Sequence, residues 1–144
     1  MAKLSKEFFS NSEVLFVGYS GENSRNSAFS KQVYQAFVRS GIKVYPFNNK
    51  VNARYDIKVY NGLTDMPKVP KCAYVLLNRD NTGKVIKLLA DNGVKRILFQ
   101  NKKNVDPETL NECKKVSIET VVACPMMILG SGIHKVHGFF AGVR

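Results

Sequence analysis

One short stretch constrains the fold of this chain more than any other: four apolar residues that run directly into a loop of small polar residues. Residues 14–17 have the length and composition of a buried strand, and residues 18–27 are mostly Gly, Ser and Asn. Apolar residues then recur at helical spacing, which predicts a helix over about 28–40, capped by Ser24 or Ser27. A loop at a helix N-terminus holds unpaired N–H groups beside the positive end of the helix dipole, so the stretch predicts a phosphate-binding site.

Neither of two common nucleotide-binding motifs is complete in this loop. The pattern Gly-x-Gly-x-x-Gly is absent, because two residues separate Gly18 from Gly21 and Ser24 stands three positions further on. No Gly-Lys-Ser/Thr follows, so the P-loop pattern is absent too. Gly18 and Gly21 also fit a plain strand-to-helix turn that binds no ligand, and both interpretations stay open at this point.

Apolar runs and helical patterns alternate along the rest of the chain. The predicted strands are about 14–19, 42–46, 72–77, 95–100 and 118–123, and the predicted helices about 28–40, 81–92 and 107–115. A short strand near 56–60, a helical turn near 64–66 and a short amphipathic helix within 1–12 are also expected. The order β-α-β-β-α-β-α-β predicts the α/β class: a single-domain, doubly wound, Rossmann-like parallel sheet of about five strands.

Length and composition set the outer limits of the prediction. The 144 residues suit one domain over 1–144, with a core at about 12–124 and an apolar, glycine-rich tail at 125–144. No run approaches the roughly 20 apolar residues of a membrane span, and no secretory segment is visible, so we expect no membrane partner and a cytoplasmic location. The net charge of +11 predicts attraction to anions without choosing among them. We expect a monomer or a homodimer.

The residues after the second predicted strand narrow the choice of ligand. A protein that binds NAD is expected to carry Asp or Glu there, to accept a hydrogen bond from the ribose 2′-hydroxyl. Residues 46–50 are Pro-Phe-Asn-Asn-Lys, which lack an acid and include a cation. The sequence therefore favours a ligand with a phosphate on its adenosine ribose, as coenzyme A and NADP have.

Three motifs together resemble a known family. Val17-Gly18-x-Ser20, then Val44-Tyr45-Pro46-x-Asn48 with Lys50, and finally Cys124-Pro125 follow the first, second and fifth predicted strands. This set is similar to that of the small stand-alone CoA-binding proteins, whose fold is shared with the CoA-binding domain of the succinyl-CoA synthetase α subunit. The similarity covers roughly residues 10–138 and implies that the cofactor is coenzyme A or an acyl-CoA.

The resemblance also implies roles for individual residues. Gly18, Ser20 and neighbouring amides would contact the pyrophosphate, Pro46, Asn48 and Lys50 would surround the 3′-phosphate, and residues 77–79 would lie near the nucleotide or the pantetheine arm. The full set of predicted cofactor-binding residues is Gly18, Tyr19, Ser20, Arg25, Asn26, Ser27, Pro46, Asn48, Lys50, Asn78 and Arg79. Lys43, Arg54 and Lys58 are substitutes for Lys50 as the phosphate cation.

Two other functions remain as alternatives. The same loops permit an NADP-dependent oxidoreductase. A basic nucleic-acid-binding module is the less favoured alternative, and nucleic acid is an unlikely partner. Such a module would use the net charge of +11 to attract the phosphate backbone and would stack bases on exposed Tyr19, Phe47 or Tyr55.

Catalytic and metal-binding residues are not expected. The three cysteines share no Cys-x-x-Cys spacing and suit reduced thiols, with Cys124 favoured as a buried residue over a reactive thiol. His134 and His137 with Cys124 would supply only three metal ligands, and no fourth is visible. Binding without catalysis is therefore the expected activity.

Overall fold

The alternating apolar and amphipathic segments form a parallel sheet with helices between its strands. The structure, a computed structural model, describes residues 8–9, 12–50 and 53–126. Within these ranges the strands are β1 (Glu13–Val17), β2 (Lys43–Phe47), β3 (Cys72–Val75), β4 (Arg96–Phe99) and β5 (Glu119–Val122). The helices are α1 (Ser27–Arg39), α2 (Arg79–Asp91) and α3 (Pro107–Lys115), and a short 3-10 helix covers Leu63–Asp65.

The sheet has a crevice built into its topology. All the neighbouring strands are parallel, in the order β2-β1-β3-β4-β5. After β2 the chain crosses to the other side of β1, so the loops that follow β1 and β3 leave in opposite directions. The predicted α/β, doubly wound, Rossmann-like sheet is confirmed, and ligands of such sheets bind where the loops separate.

Both faces of the sheet are covered, which explains why its strands read as continuous apolar runs. On one face Val14 and Phe16 of β1 share a buried cluster with Phe37 of α1. On the other face Leu15 lies in a second cluster with Leu89 of α2. Side chains alternate between the two faces along a strand, and both faces are covered, so all five residues of β1 are buried. The start of the loop that follows β1 is therefore fixed in position.

Pro46 lies in β2, where its missing N–H costs no hydrogen bond to the neighbouring strand. Its carbonyl accepts from the Tyr60 N–H at 2.9 Å, on the side away from β1, whereas the Phe47 carbonyl accepts from the Gly18 N–H at 2.8 Å. β2 is an edge strand, the usual place for proline in a sheet. Pro46 is buried and does not line the cleft described below.

Two local predictions were wrong. No strand forms over 56–60, because within this segment only Tyr60 pairs with the outer edge of β2, by one isolated bridge to Phe47. α1 has Asn26 at its N-cap and no side-chain cap, and the Ser24 hydroxyl oxygen instead accepts from the Asn26 N–H at 3.2 Å. Most of the expected helix within 1–12 and most of the tail at 125–144 lie outside the described residues. None of the helices in the described ranges is long and apolar enough to span a membrane.

Candidate functional site

A cleft of about 930 Å³ opens at the carboxyl ends of β1, β2 and β3. This volume lies near the upper end of the range for small-molecule sites, so it suits a large ligand. Its walls come from the loop after β1, the start of α1, the loop after β2, residues 61–64, residues 76–78 and one side of α2. The cleft therefore lies at the point where the sheet topology predicts a ligand.

Gly18 allows the floor of the cleft to form. Its φ is +94°, and a Cβ there would overlap the Leu76 carbonyl oxygen and lie 2.7 Å from Leu77 Cδ2. Only glycine permits the loop after β3 to pass so close to the end of β1. The Gly18 N–H already donates to Phe47, so the residue shapes the cleft and its amide is not free for a phosphate.

The loop after β1 leaves some of its amides open. Ser20 is fixed from inside, because its N–H donates to the buried Ser30 hydroxyl at 3.2 Å and its own hydroxyl oxygen accepts from Ser30 at 2.9 Å. The Gly21 and Asn23 amides have no acceptor among the described residues, and both residues line the cleft. A loop with open amides facing a cleft favours a bound anion.

The first turn of α1 adds further open donors. With no side-chain cap at Asn26, the N–H groups of Ala28 and Phe29 have no acceptor in the part of the chain that the structure describes. These groups carry the positive end of the helix dipole. Asn26 lines the cleft, so this positive end lies at its wall.

Asn48 joins the loops after β1 and β2. Its Nδ2 donates to the Tyr19 carbonyl at 2.9 Å, and its Oδ1 accepts from the Lys50 N–H at 3.0 Å. Asn61 Nδ2 donates to the Asn48 carbonyl at 2.8 Å from the far end of the same loop. Asn48 lines the cleft, but these bonds show that its side chain braces the wall.

Positive charge predominates in the cleft. Lys50, Arg54 and Lys84 line it, and Glu22 is the only carboxylate among the described lining residues. An excess of cations next to open amides favours an anionic ligand with several phosphates.

The other cations considered as substitutes for Lys50 lie elsewhere. Lys43 Nζ is 5.1 Å from the centre of the Tyr45 ring, and Lys58 Nζ is 5.1 Å from the centre of the Tyr60 ring. Neither lysine lines the cleft, whereas Arg54 does.

Part of the cleft wall is apolar, although Asn78, Asn81, Lys84 and Asn92 also line the cleft from α2 and its two caps. Leu63, Leu77, Val85 and Leu88 form the apolar part, and Leu88 is 42% exposed. An exposed leucine inside a cleft favours contact with an apolar part of a ligand.

Asn78 and Arg79, adjacent in sequence, point to different places. Asn78 lines the cleft and caps α2, since its Oδ1 accepts from the Asn81 N–H at 2.9 Å. Arg79 Nη2 donates to the Lys102 carbonyl at 3.2 Å, towards the loop before α3. A helix that begins here turns consecutive side chains about 100° apart, which separates the two.

Six of the eleven predicted site residues thus lie together in the cleft, and five do not line it. The six are Gly18, Ser20, Asn26, Asn48, Lys50 and Asn78. The five are Tyr19, Arg25, Ser27, Pro46 and Arg79. Sequence reasoning missed residues 61–64 and the α2 residues Lys84, Val85 and Leu88. The apolar spacing in α2 was visible, but it does not tell a cleft-facing leucine from a core leucine.

Two of the three aromatic side chains expected to stack on nucleic-acid bases are buried. Tyr19 is 2% exposed and Phe47 is 5% exposed, so the expectation that they are exposed was wrong. Both rings fill the core around the ends of β1 and β2. Tyr55 is half-buried and lines the cleft, and its hydroxyl donates to the Lys50 carbonyl at 3.0 Å.

The cysteines are not grouped for chemistry. Cys72 and Cys113 are buried, and burial raises the pKa of the Cys113 thiol to about 11. Cys124 is half-buried, in contrast to the buried position favoured from the sequence, and it does not line the cleft. Among the described residues no group of three His, Cys, Asp or Glu side chains is arranged for a metal, and His134 and His137 lie outside those residues.

Comparison with solved structures identifies the same fold in several proteins. Prb, a protein redesigned for binding, is 17% identical with a TM-score of 0.70, and the match covers 92% of this chain and 89% of Prb. A hypothetical protein from Pyrococcus horikoshii is 20% identical with a TM-score of 0.69, covering 86% of this chain and 85% of that one. A Thermus thermophilus protein is 15% identical with a TM-score of 0.66, covering 86% and 92%. No curated protein matches the sequence.

The sequence also matches a family directly. A family model described as CoA binding domain matches residues 13–130, which include every strand and helix given above. The chain therefore belongs to the CoA-binding domain family.

Proposed function

We propose that this protein binds coenzyme A or an acyl-CoA in the cleft, through the glycine- and serine-containing loop and the basic loop after β2, and catalyses no reaction of its own. The observation that carries the proposal is the arrangement of the cleft walls. Open amides lie on one side, and Lys50, Arg54 and Lys84 supply positive charge. Membership of the CoA-binding domain family supports the choice of ligand.

The pyrophosphate would lie against the loop after β1. The open amides of Gly21 and Asn23 and the first turn of α1 supply N–H donors to an anion without any rearrangement. Their positions are fixed by the Ser20 to Ser30 hydrogen bonds and by the close approach at Gly18. Donors that are already oriented reduce the entropy lost on binding.

The 3′-phosphate would lie near Lys50 and Arg54. Both residues belong to the loop after β2, and residues 46–50 lack the acid that a free ribose hydroxyl would need. The bonds from Asn48, Tyr55 and Asn61 hold the backbone of this loop, so the cations extend from a braced support.

The apolar wall would receive a less polar part of the ligand. Leu63, Leu77, Val85 and Leu88 offer a surface for the adenine ring or the pantetheine arm. Burying about 40 Å² of such surface contributes about 1 kcal/mol.

The absence of catalysis is part of the proposal, and the composition of the cleft supports it. Among the described lining residues none carries a thiol or an imidazole, and Glu22 alone carries a carboxylate. Neither a Cys–His pair nor a Ser–His–Asp arrangement is therefore present among the described residues of the cleft.

Calorimetric titration tests the proposal. We expect coenzyme A to bind, and dephospho-CoA, which lacks the 3′-phosphate, to bind more weakly. Lys50→Ala should weaken coenzyme A about fivefold to tenfold, as expected for about 1 kcal/mol from a charge-assisted contact, and should scarcely affect dephospho-CoA. Raising the ionic strength from about 0.1 M to about 1 M shortens the Debye length from about 10 Å to about 3 Å. The difference in affinity between coenzyme A and dephospho-CoA should therefore decrease.

Lys58→Ala is the matched control, because it removes the same charge from the same loop outside the cleft. It should leave coenzyme A affinity within about twofold of wild type, since distant exposed charges are screened. Binding of NADP in place of coenzyme A would overturn the proposal in favour of an oxidoreductase. Equal effects of Lys50→Ala and Lys58→Ala would exclude Lys50 from the phosphate site.

A further inference from the structure

The segment that carries Arg54 into the cleft has no strand or helix of its own. Residues 53–59 contain no regular element, and β2 ends at Phe47. Arg54 can therefore face a ligand reproducibly only if other contacts hold this segment, which is hereafter called the Arg54 segment.

Tyr19 links the loop after β1 to the Arg54 segment by a side-chain hydrogen bond. Its hydroxyl donates to Asp56 Oδ1 at 2.9 Å, across 37 residues of sequence. Its ring is buried edge-on against Phe16 at 5.3 Å and Tyr34 at 5.8 Å between ring centres. Burial, followed by the bond to Asp56, raises the pKa of the Tyr19 hydroxyl, so it remains a donor throughout the physiological range. A rigid donor thus holds a carboxylate two residues from Arg54.

A second set of contacts joins the same two loops at Arg54 itself. The Glu22 N–H donates to the Arg54 carbonyl at 2.8 Å. A Cβ at Gly21 would lie 3.1 Å from that carbonyl oxygen and 3.2 Å from Ala53 Cβ, so the two backbones are in close contact. The Arg54 segment is therefore held at both Arg54 and Asp56 by the loop expected to bind the pyrophosphate.

The remaining contact to Asp56 is weak. Lys31 Nζ lies 3.6 Å from Asp56 Oδ2, and the lysine side chain is 58% exposed. Exposed ion pairs contribute little, so the Tyr19 hydroxyl is the main polar link from the side of α1.

We propose that Tyr19 and Asp56 form a latch that positions Arg54 in the cleft, so that Tyr19 sets the affinity for the ligand's phosphate without touching it. Tyr19, predicted from the sequence as a ligand contact, is on this basis a positioning residue. The effect on affinity rests on the proposed function, namely binding of coenzyme A, whereas the positioning of the loop does not.

A double-mutant cycle with coenzyme A as the ligand tests the latch. Arg54→Ala should weaken binding about fivefold to tenfold in the wild-type background. In the Tyr19→Phe background, which keeps the ring but removes the hydroxyl, the same change should cost less than about twofold, because the bond at Asp56 is lost and the backbone contacts at Arg54 do not orient the arginine side chain by themselves. An unchanged cost of Arg54→Ala in both backgrounds would overturn the proposal.

Changes at Asp56 approach the same bond from its other end. Asp56→Ala should behave like Tyr19→Phe, whereas Asp56→Asn keeps an oxygen that accepts from the tyrosine and should preserve most of the Arg54 contribution. Tyr34→Phe is the control, because the Tyr34 hydroxyl has no hydrogen-bond partner among the described residues. If Asp56→Asn and Asp56→Ala reduce the Arg54 contribution equally, charge and not the latch is responsible.

Amide exchange in the absence of ligand separates the latch from the proposed function. The Glu22 N–H reports on the junction with Arg54, and its exchange should rise several-fold in Tyr19→Phe. The Leu76 N–H, which donates to Val17 at 2.9 Å, should be unaffected. Unchanged Glu22 exchange would overturn the latch even if coenzyme A binds. Failure of the wild type to bind coenzyme A would overturn the proposed function, and raised Glu22 exchange would then still support the latch.

Discussion

Replacing Gly18 by alanine should destabilise the protein more than the same change at any other glycine that the structure describes. Two separate obstacles meet the new methyl group. The backbone has φ of +94°, and the Cβ would overlap the Leu76 carbonyl oxygen. Leu76 cannot withdraw freely, because its N–H donates to the Val17 carbonyl at 2.9 Å.

Gly41 separates these two costs. Its φ is +79°, and nothing lies within 4 Å of a Cβ built there. Gly41→Ala should therefore meet only the backbone strain of a positive φ, about 1–2 kcal/mol. Gly18→Ala should cost this amount and about 2 kcal/mol more, from the displaced carbonyl and the weakened hydrogen bonds around it. The lower entropy of the unfolded chain that alanine brings is the same in both variants and cancels in the difference.

Urea unfolding of the wild type and both variants provides the measurement. The free energy of unfolding should fall by about 3–4 kcal/mol in Gly18→Ala and by about 1–2 kcal/mol in Gly41→Ala, with unchanged m values. Coenzyme A binding should weaken in Gly18→Ala alone, because only that change displaces the floor of the cleft. Equal destabilisation of the two variants would refute the close approach between the ends of β1 and β3.

Two further predictions concern titratable groups. Hydrogen bonds from Thr109 hold the pKa of Asp106 below its ordinary value of 3.8, so the ionised carboxylate stabilises the folded state above the unfolded pKa, and this contribution is lost as the pH falls through the folded pKa. In urea unfolding, Asp106→Asn should have a lower free energy of unfolding than wild type near pH 6, and the difference should shrink near pH 3. A difference that does not change with pH would contradict this account. In the native protein a maleimide should label Cys124 first, while the buried Cys72 and Cys113 react only after unfolding. Mass spectrometry of the labelled peptides measures the order of labelling, and earlier labelling of Cys72 or Cys113 would contradict the prediction.

The regular elements were predictable because each is encoded locally. A run such as residues 72–77 is apolar without interruption, which indicates a strand covered on both faces. Asp106 before Pro107 marks the start of α3 in the same local way, and Asp106 Oδ1 accepts from the Thr109 N–H at 2.7 Å. The predicted strand over 56–60 failed for the opposite reason. Its apolar residues do pack against the core, but a strand must also run beside another strand over several residues, and this segment meets β2 only at Tyr60.

The site was predictable to the extent that it depends on strand ends. Parallel strands bring their carboxyl ends to one edge, so residues after β1, β2 and β3 were expected to meet there. Lys50 and Asn78 follow from this rule, and both line the cleft. Lys84 and Leu88 also line the cleft but do not follow from this rule. They lie on the side of a helix whose rotation is set by packing against the sheet.

The class of fold, the order of its elements and the edge of the sheet that carries the cleft follow from local patterns, because periodicity and turn chemistry act over a few residues. Which polar groups remain available at that edge depends on contacts between residues that are far apart in the chain. Tyr19 is engaged by Asp56, 37 residues away, and Asn48 by Tyr19, 29 residues away. Such bonds depend on the path of an irregular loop through space, and each one removes from the site a group that its position in the sequence had assigned to the ligand.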